Sequence, residues 1–170
     1  MKYRAFFIPI LLITLFFGCK DEKNKPIEDN KQISLKTTTD EIITLTKTDS
    51  GFKDESNKVL FLNFFTTSCA PCNAQFPHLN NLQEKYKNEL KIISVLLEEK
   101  RPEEIQNFIK DKKIGFDITA DKNNFRLSIT LGNITNVPYM LIYDKNGQYV
   151  THYTTATPEE MIEADLKRIF

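Results

Sequence analysis

The sequence contains no tryptophan, three cysteines and two histidines, and it has no surplus of either charge: 23 Lys and Arg stand against 23 Asp and Glu in 170 residues. A chain so balanced offers no basic field of the kind that holds nucleic acid. A structural zinc site needs four ligands, and here one cysteine pair (Cys69, Cys72), a distant Cys19 and the widely separated His78 and His152 do not supply them in any usual spacing. Internal repeats and low-complexity blocks are also missing. The longest apolar run, residues 5–17, has 13 residues, whereas a comfortable membrane span needs about 20. What is present is 41% hydrophobic and 27% charged residues, an ordinary globular composition that suits one domain with a tail.

That short apolar run follows Lys2 and Arg4, so residues 1–18 read as a signal peptide and are set aside from the fold. Gly18-Cys19 then predicts cleavage before Cys19 and lipidation of its sulfur, although Phe16 and Phe17 stand where Leu and a small residue are usual. Removing residues 1–18 takes away two bases and no acid, which leaves 21 basic against 23 acidic groups, a net −2. Residues 19–31 are polar and charged, include Pro26, and read as a flexible lipidated tether whose lysines at 20, 23 and 25 favour a membrane surface weakly. The folded domain is then expected over residues 32–170.

Its centre is Cys69-Ala70-Pro71-Cys72, which lies between the apolar run Val59-Leu60-Phe61-Leu62-Asn63-Phe64-Phe65 and a segment of helical periodicity. Two cysteines so spaced at a strand-to-helix junction can close a small ring reversibly. At a helix start the unpaired backbone N–H groups and the positive end of the dipole favour thiolate over thiol, so Cys69 is the expected nucleophile. Pro71 suits the first turn because it has no N–H to satisfy and presets φ, and Ala70 adds no charge. Cys72 is expected to point inward and resolve the mixed disulfide that Cys69 forms. Metal binding and an inert bridge are the other uses of such a pair. Closing so short a loop removes little chain entropy, which argues against a purely structural bridge.

The segment Phe64-Phe65-Thr66-Thr67-Ser68-Cys69-Ala70-Pro71-Cys72-Asn73-Ala74-Gln75-Phe76-Pro77 resembles the active-site stretch of the TlpA/ResA-like proteins, membrane-tethered extracytoplasmic members of the thioredoxin superfamily. Downstream, Asn136-Val137-Pro138-Tyr139-Met140-Leu141-Ile142 is similar to the segment that carries the superfamily's cis-proline. The resemblance implies an α/β, thioredoxin-like three-layer fold, with a central mixed sheet flanked by helices, an N-terminal β-hairpin and an extra strand and helix. It also implies a cis Val137–Pro138 bond, where base rates alone favour trans, with Val137 offering its backbone to an extended partner. There are departures. Ser68 and Phe65 occupy places where many relatives have tryptophan, Asn63 stands where thioredoxins have a buried acid, and Gln75 stands where some of the branch have glutamate. Neither Asn63 nor Gln75 titrates, so the proton acceptor for Cys72 is not at those positions.

Along the domain, alternation and β-branched residues predict a hairpin from residues 33–37 and 42–46, then a loop or short helical turn over 49–58. Residues 59–65 read as a strand covered on both faces. The active-site helix is expected over 72–86, with Phe76, Leu79, Leu82 and Tyr86 on one face and a kink at Pro77. A strand over 90–97, a charged solvated connection at Glu98, Glu99, Lys100 and Arg101, a helix over 102–114 with Ile105, Phe108 and Ile109 inward, a short strand over 116–119 and a helical turn or two over 124–131 follow. After Pro138 come strands over 139–143 and 148–153 joined by Asp144-Lys145-Asn146-Gly147. The last helix is expected to start with Thr157 as N-cap and Pro158 at N1, and to turn Met161, Ile162, Leu166 and Ile169 inward. His78 and His152 read as surface histidines, and Ser68 as a turn residue or a donor to the thiolate.

Together these readings predict a lipid-anchored extracytoplasmic thiol:disulfide oxidoreductase without cofactor or metal. Its partners would be cysteine-containing exported proteins and a membrane electron donor or acceptor. Within the resemblance, reduction of apocytochrome c thiols before haem attachment is the commonest task. Two alternatives use the same residues: a Cu(I)-handling lipoprotein that binds through Cys69, Cys72 and His152, and a thiol peroxidase.

Overall fold

The computed structural model describes residues 31–170. The signal peptide, Cys19 and nearly all of the tether lie outside the described residues. Twelve elements follow in order: β1 (Gln32–Lys36), β2 (Ile42–Lys47), β3 (Phe52–Lys53), β4 (Val59–Phe65), α1 (Ala70–Lys85), β5 (Leu90–Leu96), α2 (Pro102–Lys112), β6 (Asp117–Thr119), α3 (Asn123–Thr130), β7 (Tyr139–Tyr143), β8 (Tyr149–Tyr153) and α4 (Glu159–Leu166).

The strand with the strongest apolar run takes the middle of the main sheet. β4 is buried along its whole length and lies third in the five-stranded order β6-β5-β4-β7-β8. It pairs parallel to β5 and antiparallel to β7, so the sheet is mixed. Successive side chains leave a strand on opposite faces. Leu60, Leu62 and Phe64 therefore join Ile93, Val95, Leu141 and Tyr143 under the N-terminal sheet and Leu127 of α3. Val59 and Phe61 join Ile92, Met140 and Ile142 under Leu79 and Leu82 of α1 and Ile162 and Leu166 of α4. α2 covers the end of that second face through Ile105, with Phe108 and Ile109 partly buried against Phe65, Phe76 and Leu96.

The N-terminal hairpin gains a third strand where the sequence suggested a loop or helical turn. Two-residue β3 pairs with β2 because Phe52 is a core residue, buried edge-on to Tyr143 with ring centroids 6.2 Å apart. Glycines permit the approach: a Cβ on Gly51 would lie 2.4 Å from the Tyr143 ring, and Gly147 adopts φ 81°. Thr48 Oγ1 donates to the Gly147 carbonyl at 2.7 Å and ties the small sheet to the β7–β8 turn.

Three further expectations are corrected. α1 starts at Ala70 rather than residue 72, since Cys69 itself is the N-cap, while Pro77 lies inside the helix as expected. The cap of α4 is Pro158, not Thr157. Thr157 is buried, its hydroxyl donates to the Thr155 carbonyl at 3.0 Å, and its N–H is given to Gln75 Oε1 at 2.8 Å, so the side chain faces inward instead of capping. Met161 is 57% exposed, whereas its neighbour Ile162 takes the core position.

α1 and α4 are joined by a charged latch. Glu163 accepts from Lys85 Nζ at 2.7 Å and Tyr86 OH at 2.5 Å, and Lys167 Nζ lies 3.0 Å away. These partners, Lys85 foremost, hold the Glu163 carboxyl down to about 2. A depressed carboxyl adds stability that is complete above the ordinary carboxylate range and is lost as pH falls toward the folded value. Glu163→Gln is expected to lower the melting temperature at neutral pH, and thermal melts from pH 7 to pH 2 should show the gap from the unaltered chain closing below about pH 4.

Candidate active site

The site forms where β4 ends and α1 begins. Cys69 and Cys72 are joined in a disulfide with their Cα atoms 5.2 Å apart. Cys69, extended at φ −76° and ψ 105°, occupies the N-cap, and its sulfur accepts the Cys72 N–H at 3.1 Å. A sulfur there takes one of the donors that a helix start leaves unpaired, and once reduced it would face the positive end of the dipole as a thiolate. Ala70 and Pro71 fill the first turn and are exposed.

The two sulfurs differ in access. Cys72 is 1% exposed, packed with Phe65, Phe76, Leu96 and Ile105, while Cys69 is only partly buried against the same cluster. Phe65 meets Phe76 edge-on with centroids 5.2 Å apart and stacks on Phe108 at 6.0 Å. Phenylalanine at position 65 thus becomes a buried aromatic wall behind the pair. Across from it the Val137–Pro138 peptide is cis. Pro138 is buried, and Val137 is half-buried where it packs against both the Cys72 cluster and the core on the opposite sheet face. The structure therefore brings Cys69, Ala70, Pro71, Cys72, Val137 and Pro138 into one region. His152 is elsewhere occupied: its ring stacks on Tyr139 with centroids 5.5 Å apart, and its Nδ1 pairs with Tyr149 OH at 2.6 Å. His78 is half-exposed and bonds Glu159 of α4 at 3.3 Å. Among the described residues no group of three or more His, Cys, Asp or Glu side chains is placed to hold a metal ion.

Two buried amides lie on the helix-covered side. Asn63 Nδ2 donates to Ser94 Oγ at 2.9 Å across the β4–β5 pair, and Gln75 Oε1 accepts from Thr157. Both residues are 1% exposed, and Asn63 Oδ1 and Gln75 Nε2 have no partner among the described residues. Gln75 is thus a tie between the active-site helix and the segment entering α4.

Sequence reasoning passed over Glu98. The expected solvated loop instead turns this carboxylate back onto the active-site turn, where Oε1 accepts the Thr67 N–H at 2.5 Å. Thr67 O in turn accepts from Asn73 Nδ2 at 3.2 Å, and Cys69 N–H donates to Thr66 O at 3.3 Å. Position alone gave no hint, because Glu98 sits in a run of charges and reaches the turn only through the parallel pairing of β4 with β5.

A disulfide at a helix N-cap, opposite a cis-proline loop on a mixed sheet, defines a thiol-disulfide domain of the thioredoxin class. The family model described as thioredoxin-like matches residues 57–149, and the chain belongs to that family. It is 32% identical over 117 residues to the protein named thiol-disulfide oxidoreductase ResA of Bacillus thuringiensis subsp. konkukian, covering 69% of this chain and 66% of that relative, just under two thirds of its length. StoA from Bacillus subtilis shares the fold at TM-score 0.62 and 20% identity, over 79% of this chain and 95% of that one. A thiol:disulfide interchange protein from Chlorobium tepidum does so at 0.63 and 17%, over 82% and 93%. The ResA relative agrees with the TlpA/ResA-like resemblance, and the two solved structures share the fold.

The Asn63–Ser94 bond makes a testable contribution. Ser94→Ala leaves a buried amide donor unpaired, which costs about 1–3 kcal/mol, whereas the double change Asn63→Leu with Ser94→Ala removes both partners and is expected to recover part of the loss. Denaturant unfolding of the oxidised chain checks this, and a single variant as stable as its parent would contradict it.

Proposed function

We propose that the protein is an extracytoplasmic thiol:disulfide oxidoreductase, lipid-anchored through Cys19, that reduces disulfides in exported proteins by way of Cys69 and Cys72. The substrate class we favour is apocytochrome c, whose cysteine pair must be reduced before haem attachment. The observation that carries this reading is the asymmetry of the pair, with one sulfur reachable at a helix N-cap and the other sealed beneath it. The name of the ResA relative supports the reaction type.

In the reduced protein the Cys69 thiolate attacks one sulfur of the partner's disulfide. A Cys69–partner S–S bond forms, the partner's own S–S bond breaks, and the departing thiolate takes up a proton. Cys72 then loses its proton and attacks Cys69 Sγ, which restores the Cys69–Cys72 bond and expels the second partner thiolate. Two electrons have passed to the partner, and its second thiolate takes up the proton that Cys72 released. No bound cofactor is needed for either step, since the dithiol supplies both electrons; a membrane electron donor must return the pair to the dithiol. Val137 offers the backbone beside which an extended partner segment can pair.

Cys72→Ser is expected to accumulate mixed disulfides between Cys69 and exported proteins, detectable as reductant-sensitive high-mass bands and identified by mass spectrometry. Cys69→Ser is expected to give none. Adducts confined to Cys69→Ser would reverse the two roles, and none in either variant would remove the oxidoreductase reading.

A further inference from the structure

Glu98 is attached to the turn that presents the reactive sulfur. Its Oε1 is bonded to the N–H of Thr67, two residues before Cys69. The same turn is closed by the Cys69 N–H on Thr66 O and by Asn73 Nδ2 on Thr67 O. Three bonds therefore fix the approach to Cys69, and one of the three carries a charge.

The surrounding charges cancel it only in part. Lys100 Nζ is 3.9 Å from Glu98 Oε2, a loose contact between side chains that both reach solvent, and such pairs are weak. Glu99, Asp121 and Lys122 share the adjoining surface cavity with Glu98 and Lys100 and bring both signs. Around Cys69 itself, the first turn of α1 has no acidic residue. The residues of α2 packed toward the pair are Ile105, Phe108 and Ile109, while Arg101 and Glu104 pair with each other at 3.2 Å. Asn63 and Gln75, buried on the helix-covered side, are neutral amides.

The backbone from Thr67 N to Cys69 Cα spans at most about 8 Å. With the 2.5 Å bond from Thr67 N to Glu98 Oε1 and the reach of the Cys69 side chain added, the carboxylate and the sulfur are at most about 13 Å apart, comparable with the screening length of about 10 Å at 0.1 M and well inside the length of about 30 Å at 0.01 M. A carboxylate at that range disfavours a second anion, so it opposes the stabilisation that the helix N-terminus gives the thiolate. In the disulfide neither sulfur is charged, and the effect vanishes. The charge of Glu98 thus acts on the reduced state alone, and only on its anionic form.

We propose that Glu98 is a positioning residue for exchange at Cys69: it fixes the turn through Thr67 and, through its charge, holds back the Cys69 thiolate, which makes the dithiol a readier electron donor. The proposal rests on the reading of Cys69 and Cys72 as a redox pair. Reduction of the bridge takes two electrons and two protons, and when Cys69 then releases its proton the resulting anion is the species that Glu98 destabilises. A less stable reduced form is a more reducing couple.

The test compares the unaltered full chain with Glu98→Gln, which keeps an oxygen to accept the Thr67 N–H, and Glu98→Ala, which does not. Each is reduced, and alkylation of Cys69 by iodoacetamide is followed against pH, with the product located by mass spectrometry. Glu98→Gln is expected to shift the midpoint to lower pH and raise the Cys69 rate near neutrality by about two- to tenfold at low salt. The difference should shrink in 1 M salt, where the screening length is about 3 Å. Glu98→Ala should show the same direction of shift. Loss of a turn contact alone would slow or broaden the reaction in Glu98→Ala and leave the Glu98→Gln profile unmoved. A Glu98→Gln profile identical to that of the unaltered chain, or displaced to higher pH, overturns the proposal while the redox reading stands. Absence of any reversible Cys69–Cys72 couple in the unaltered chain overturns both.

Discussion

Burial of β4 on both faces is the constraint from which the rest of the architecture follows. Seven successive residues, Val59 to Phe65, are withdrawn from water, and a strand of that kind is stable only in mid-sheet with a layer on each side. One layer is the α1, α2 and α4 face, and the other is the small N-terminal sheet with α3. Because β4 is central, its C-terminal end opens between its neighbours, and the chain must leave the sheet there. Cys69 lies just past that exit, so the placement of the disulfide is a consequence of how the core is built.

The site uses few charges. Its back wall is Phe65, Phe76 and Phe108, and its buried polar groups, Asn63, Ser94 and Gln75, are neutral. A sulfur buried in such surroundings resists ionisation, which fits the resolving role proposed for Cys72. At the surface the balance is different: the N-cap geometry favours a Cys69 anion, and Glu98 adds the opposing influence through the turn. Two sulfurs joined by one short ring thereby have distinct chemical settings.

Much of this was legible in the sequence because it depends on local rules. The apolar run of β4, the period of α1, the hairpin of β1 and β2 and the C-x-x-C spacing each follow from neighbours along the chain, and the cis bond at Pro138 was implied by resemblance. The parts that escaped depend on pairing between distant segments. Phe52 makes β3 only because Tyr143 and two glycines leave room for it. Thr157 looked like an N-cap, but its N–H is committed to Gln75, 82 residues away. Glu98 looked like solvated charge until β5 brought it under the active-site turn. Each is a tertiary contact overriding a sound local preference.

The most direct test of the central claim is the reduction potential of the Cys69–Cys72 pair, measured by equilibrating the full chain with defined thiol buffers and quantifying the free thiols. The account predicts a reversible two-electron couple at the reducing end of the range, near thioredoxin's value of about −270 mV. A potential near −120 mV would make the protein a disulfide donor, and no reversible couple at all would contradict the assignment of the pair as a redox centre.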